Sequence, residues 1–145
     1  MNNVSPAVAL FKNGFNCSQA ILSVYGPKFG LDRETALKLA CGFGGGMRMG
    51  QVCGAVTGAF MVIGLKYGQF DAADKESKEK TYRLVKEFAE KFTLRNSSII
   101  CKELLGCDIS TSEGIKTATE KDLFNYFCPK MVQDAAEILE EMLSD

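Results

Sequence analysis

The sequence contains no histidine at all. That absence excludes a mixed Cys/His zinc site and any Ser-His or Cys-His catalytic pair. Charge of one sign is also lacking: 17 Lys and Arg stand against 18 Asp and Glu. No strong field therefore exists to draw nucleic acid or an acidic membrane, and a nucleic-acid function is not expected. Long hydrophobic runs are missing too. The most apolar stretch, 52–65, is 14 residues long and is interrupted by Gly54, Gly58 and Gly64. A bilayer span needs about 20 residues, so this stretch predicts a buried core helix and no membrane insertion. The start, MNNVSPAVALFKNG, lacks the basic and apolar regions of a signal peptide, and a cytoplasmic location is expected.

What is present suits a globular chain: 46% hydrophobic and 24% charged residues over 145 positions. That length can bury a core within one domain, and we expect residues 1–145 to form a single cysteine-rich unit. Alternation at period two is nearly absent, while helical periodicity recurs. The expected fold is all-α: a compact bundle of about six to eight helices around an apolar central helix at about 51–67.

Local signals divide the chain. Ser5-Pro6 reads as a cap and first helical position, with Gly14 as the stop. Asn16 and Gln19 have the spacing of a capping box, and Gly26-Pro27 ends that helix. Asp32 caps a third helix that turns Ala36, Leu37, Leu39 and Ala40 inward. The run 43–50, FGGGMRMG, cannot be a regular helix at ordinary cost. A long charged helix is expected from Asp71, with Tyr82, Val85, Phe88, Ala89 and Phe92 inward. Ser97 or Ser98 would cap a short helix ending at Gly106. The polar stretch 108–119 reads as a loop, followed by a short helix at about 120–127. The last helix begins at Cys128-Pro129 and buries Met131, Val132, Ala135, Ile138, Leu139 and Met142.

Six cysteines are many for a reducing compartment, where metal or redox work is their usual use. Cys17, Cys53, Cys101 and Cys128 all fall at expected helix starts. Cys41 falls near a helix end and Cys107 beyond the Gly106 stop. A helix N-terminus presents unsatisfied N–H groups and about half a positive charge, which favours thiolate over thiol. Four converging ends would offset about two negative charges, the net charge of four thiolates around a dicationic 2Fe–2S core. A buried cysteine also fills space as a small apolar residue, and for any one of the six that role suffices. No C-x-x-C is present, so neither a zinc ribbon, a thioredoxin motif nor a haem attachment motif is predicted.

The glycine-rich turn before the central helix leaves backbone uncovered, and Gly44, Gly45 and Gly46 are candidate cofactor contacts. A tight turn between packed helices explains the same glycines equally well. The turn has no Gly-Lys-Ser/Thr and follows no expected strand, so it is not a nucleotide loop. Arg48 is its one cation, a type that usually faces solvent. Thr57, one turn beyond Cys53, can donate to a sulfur or back to its own helix.

These residues resemble a recognised family, the redox-active proteins described by the pattern C…GCAxxG…C…C. The resemblance runs through NCSQAIL at 16–22, GFGGGMRMGQVCGAVTGAFMVIGLKYG at 42–68, CKELLGCDIS at 101–110 and CPKMVQDAAEILEE at 128–141. Here Val52 precedes Cys53 and Gly54 follows it, giving CGAxxG order. The resemblance implies that Cys17, Cys53, Cys101 and Cys128 are the functional set, the same four that helix starts select, with Cys41 and Cys107 as extras. A similar cysteine framework occurs in a multihaem cytochrome family as an iron–sulfur binding fold, and this chain lacks the haem-attachment part.

The leading expectation is therefore an iron–sulfur protein of 2Fe–2S type for electron transfer or redox sensing. Its ligands would be those four cysteines, and its partner a redox protein. Alternatives are a metal-free thiol–disulfide enzyme or sensor led by Cys53, a zinc module on the same four residues, or a helical scaffold whose cysteines only pack. Homo-oligomer formation is also open.

Overall fold

The structure is a computed structural model and describes residues 2–144. Among these the regular elements are helical: α1 (Val4–Lys12), α2 (Cys17–Tyr25), α3 (Arg33–Ala40), α4 (Gly54–Tyr67), α5 (Lys75–Asn96), α6 (Cys101–Leu105), α7 (Ser112–Glu120), α8 (Leu123–Tyr126) and α9 (Cys128–Met142). The all-α expectation holds. The sole β-type pairing among the described residues is one antiparallel bridge between Val52 and Ile100.

Helix α4 is apolar on most sides and is surrounded by α2, α5 and α9. It buries Ala55, Val56, Ala59, Val62 and Ile63. Its closest neighbour is α2, and glycine makes that closeness possible. A Cβ on Gly58 would lie 3.0 Å from the Ser18 carbonyl oxygen, and one on Gly54 3.1 Å from the Ser18 backbone nitrogen. Side chains at these two positions would push the helices apart.

The long helix α5 adds Phe88 and Phe92, both fully buried, with Phe60 of α4 edge-on to Phe88 at 6.1 Å between ring centroids. Helix α9 buries Met131, Val132, Ala135, Ile138 and Leu139, an i, i+3/i+4 stripe. Met142 is only half-buried. The Tyr25 hydroxyl donates to Glu140 Oε2 at 2.6 Å and ties α2 to α9. A smaller apolar cluster forms under α6–α8 from Cys101, Ile109 and Ala118, with Leu105, Cys107, Leu123 and Phe124 against it.

Several local expectations require correction. Asn3, not Ser5, precedes α1, so Pro6 sits inside the first turn. Helix α3 buries Ala36 and Ala40, but Leu39 is exposed, because a short surface helix shows the core one narrow stripe. Helix α5 starts after Asp74, whose side chain accepts from Ser77 N–H; Asp71 lies in the turn before it. Tyr82 points outward. Ser97 closes α5 in the left-handed region, and neither serine caps α6: its N-cap is Ile100, with no side-chain cap bond, and Ser98 Oγ accepts from Ile100 N–H in the turn before it. The stretch 108–119, expected as a loop, contains most of α7, because Thr111 accepts from Gly114 N–H and nucleates a helix.

Candidate functional site

Four local devices each deliver one cysteine. Cys17 is the first residue of α2, fixed by the expected capping box: Asn16 Oδ1 accepts from Gln19 N–H at 2.9 Å, and Gln19 Oε1 from Asn16 N–H at 3.0 Å. Cys128 opens α9, with Pro129 pre-set for the first turn. Cys101 opens α6. Cys53 is the N-cap of α4 and not, as expected, inside its first turn. The Val52–Ile100 bridge sets two of them side by side: Cys53 N–H donates to the Ile99 carbonyl at 2.7 Å, and Cys101 N–H to the Gln51 carbonyl at 2.6 Å.

All four line one cavity of about 240 Å³ between the main core and the smaller cluster. At about 30 Å³ per water, this space exceeds that of a single ion. Its walls are apolar, including Phe11, Phe15, Phe124 and Phe127. Each of the four cysteines is at most 9% exposed, whereas Cys41 is exposed and Cys107 half-buried. Among the described residues no three Cys, Asp or Glu side chains stand so as to hold one metal ion. The sulfurs surround a space and do not close on a point.

The glycine turn is bent through the left-handed region: Gly45, Gly46, Met47, Arg48 and Gly50 all have φ between 58° and 67°. Gly45 lines the cavity. Gly44 and Gly46 are not among the lining residues. A Cβ on Gly44 would meet the Asn16 side chain, and one on Gly46 the Gln51 backbone, so both serve close packing. Thr57 bonds back to the Gly54 carbonyl at 3.2 Å and not to sulfur.

Electrostatics separate the four thiols. The Cys17 thiol donates to the Cys53 sulfur, and the N–H groups of Ala55 and Val56 add to it, which holds Cys53 below the usual thiol range. The same bond, then burial, pushes Cys17 well up. Burial, then repulsion from Cys53, pushes Cys101 up to about 12, with Arg48 opposing. Burial and repulsion from Cys53 and Cys101 push Cys128 up to about 12. The expectation that every helix start would favour thiolate thus holds for Cys53 alone. At Cys17 the bond with Cys53 leads and burial follows, while at Cys101 and Cys128 burial leads and like-charge repulsion follows.

The family described as "Putative redox-active protein (C_GCAxxG_C_C)" matches residues 15–142. The chain belongs to this family. No curated protein and no solved structure matches it. All four converging cysteines fall inside the family's span, as do the glycine turn and the bridge. No helix among the described residues is long and apolar enough to cross a membrane.

The aromatic walls escaped the sequence reading, though a signal for them exists. Each of the four cysteines has a bulky apolar residue one or two positions before it: Phe15, Val52, Ile100 and Phe127. Of these, Phe15 and Phe127 line the cavity, and Val52 and Ile100 form the bridge.

Proposed function

We propose that this member of the redox-active family holds a 2Fe–2S centre through Cys17, Cys53, Cys101 and Cys128, for electron transfer or redox sensing. The observation that carries this reading is the convergence of four sequence-distant cysteines, all at helix starts, on one shielded cavity. Four cysteine ligands are what such a cluster requires. The donor set suits a cationic sulfide core, because a positive centre would offset the burial and the like-charge repulsion that keep Cys101 and Cys128 protonated. The cavity's size leaves room for a two-metal centre.

When bound, the centre supplies one-electron chemistry without an open coordination position. The chain's residues do the rest. The N–H groups of Ala55 and Val56 reach the Cys53 sulfur, and the phenylalanine side chains give the cavity an apolar wall of low dielectric. The test is iron and acid-labile sulfide measured in protein purified without oxygen. Matching amounts of both support the reading, and neither element in protein so handled refutes it.

A second reading rests on the Cys17–Cys53 contact. In metal-free protein the Cys53 thiolate would attack one sulfur of a small disulfide and release the other as thiolate. Cys17, after losing its proton, would attack the Cys53 sulfur of the mixed disulfide. That step releases the second thiol and leaves a Cys17–Cys53 disulfide, with two electrons passed to the substrate. Mass spectrometry after a small disulfide oxidant separates the readings: all six thiols left free would exclude the second.

A further inference from the structure

Arg48 is the one charged side chain lining the cysteine cavity. It makes no ion pair or side-chain hydrogen bond to another side chain among the described residues. Its backbone is left-handed at φ 60°, as is that of Met47 before it at φ 58°. Non-glycine residues rarely take this conformation, and two in succession cost stability that the surroundings must supply. The bend lays the guanidinium over Gly45. A Cβ there would stand 2.8 Å from Arg48 Nη1, and only glycine leaves that path open. The turn thus holds a strained arginine against a cavity with four cysteine sulfurs and no carboxylate in its wall.

We infer that Arg48 is the charge-compensating residue of the centre: its guanidinium stabilises the reduced, more negative state and so raises the reduction potential. This inference rests on the four-cysteine reading above. Reduction adds one electron from a one-electron donor, breaks no bond and takes up no proton, so the centre becomes one unit more negative. Arg48 is exposed on its outer side, so solvent weakens its field, and a cation at the cavity wall still favours that state.

The test is a potentiometric titration with dithionite of protein loaded with iron and sulfide. In R48Q, the reduced-to-oxidised ratio at the wild-type midpoint should fall about tenfold, equivalent to about 59 mV for a one-electron couple. R48K keeps the charge and should stay near the wild-type potential. R48G removes both charge and strain. Its potential should fall as in R48Q, while the urea midpoint of its metal-free form rises, a combination that a purely structural role would not give. R48G also decides the matter if R48Q fails to fold. Equal potentials in wild type, R48Q and R48G overturn the role of Arg48 and leave the centre standing. Wild-type protein that takes up no iron and sulfide overturns the centre itself, and this inference with it.

Discussion

The Cys17 thiol donates to the Cys53 sulfur across the contact between α2 and α4. Two cysteines of similar burial thereby take opposite tendencies, one held protonated and the other favoured as thiolate. The contact depends on Gly54 and Gly58, over which Ser18 and Ile21 lie directly.

Gly58→Ala should therefore cost about 1–3 kcal/mol of stability, as overpacking does. The added methyl meets the Ser18 carbonyl and the Ile21 Cβ, and neither can retreat within a helix-to-helix contact. Urea unfolding of the metal-free protein measures the cost. A change within error would show that the helices separate freely.

Asn16→Ala removes the side-chain half of the capping box, in which Asn16 Oδ1 accepts from Gln19 N–H, and the bond from Asn16 Nδ2 to the Cys41 carbonyl, while Asn16 N–H still donates to Gln19 Oε1. We expect a loss of about 1–2 kcal/mol, at the upper end for a cap. Asn16→Asp keeps the acceptor and should recover part of it. Equal stability of Asn16→Ala and wild type in urea would contradict the role given to the box.

Metal-free protein should weaken as pH rises. Three thiols, Cys17, Cys101 and Cys128, are raised in the folded state, so their contribution is full below the unfolded thiol value of about 8.5. It is lost as pH climbs toward about 12, because the unfolded chain gives up protons that the folded chain keeps. Cys53 is depressed and works in the opposite sense: its contribution appears above the unfolded value and is lost as pH falls through its folded one. Three against one sets the balance, and Tyr25, raised by burial and then by Glu140, adds to the alkaline loss. The urea midpoint should fall between about pH 7.5 and about pH 10. A midpoint that holds or rises over that window would contradict the assigned directions.

Much of this could be read from local chemistry. Asn16 with Gln19, Asp32, Gly106 and Cys128-Pro129 mark their helix ends as expected, because capping depends on three or four neighbouring residues. Helix α7 was hidden because its sequence is mostly polar and only Gly114 and Ala118 are buried, which leaves a faint stripe. Leu39 and Tyr82 were placed inward by periodicity alone, and the orientation of the whole helix overrode it. The helix starts singled out four cysteines, but their meeting depends on the Val52–Ile100 bridge and the α2–α4 contact. Both join segments far apart in sequence and leave no local mark. The left-handed Arg48 was equally hidden, since nothing in its neighbours' identity demands that conformation outside the glycines.

The central claim is that four named thiols act as one centre. Its most direct test is the iron and sulfide content of six single Cys→Ser variants, each purified without oxygen beside the wild type. The account predicts matching iron and sulfide in the wild type, C41S and C107S, and a marked loss of both in C17S, C53S, C101S and C128S. Wild type devoid of iron and sulfide, or loading that is indifferent to which cysteine is replaced, would contradict it.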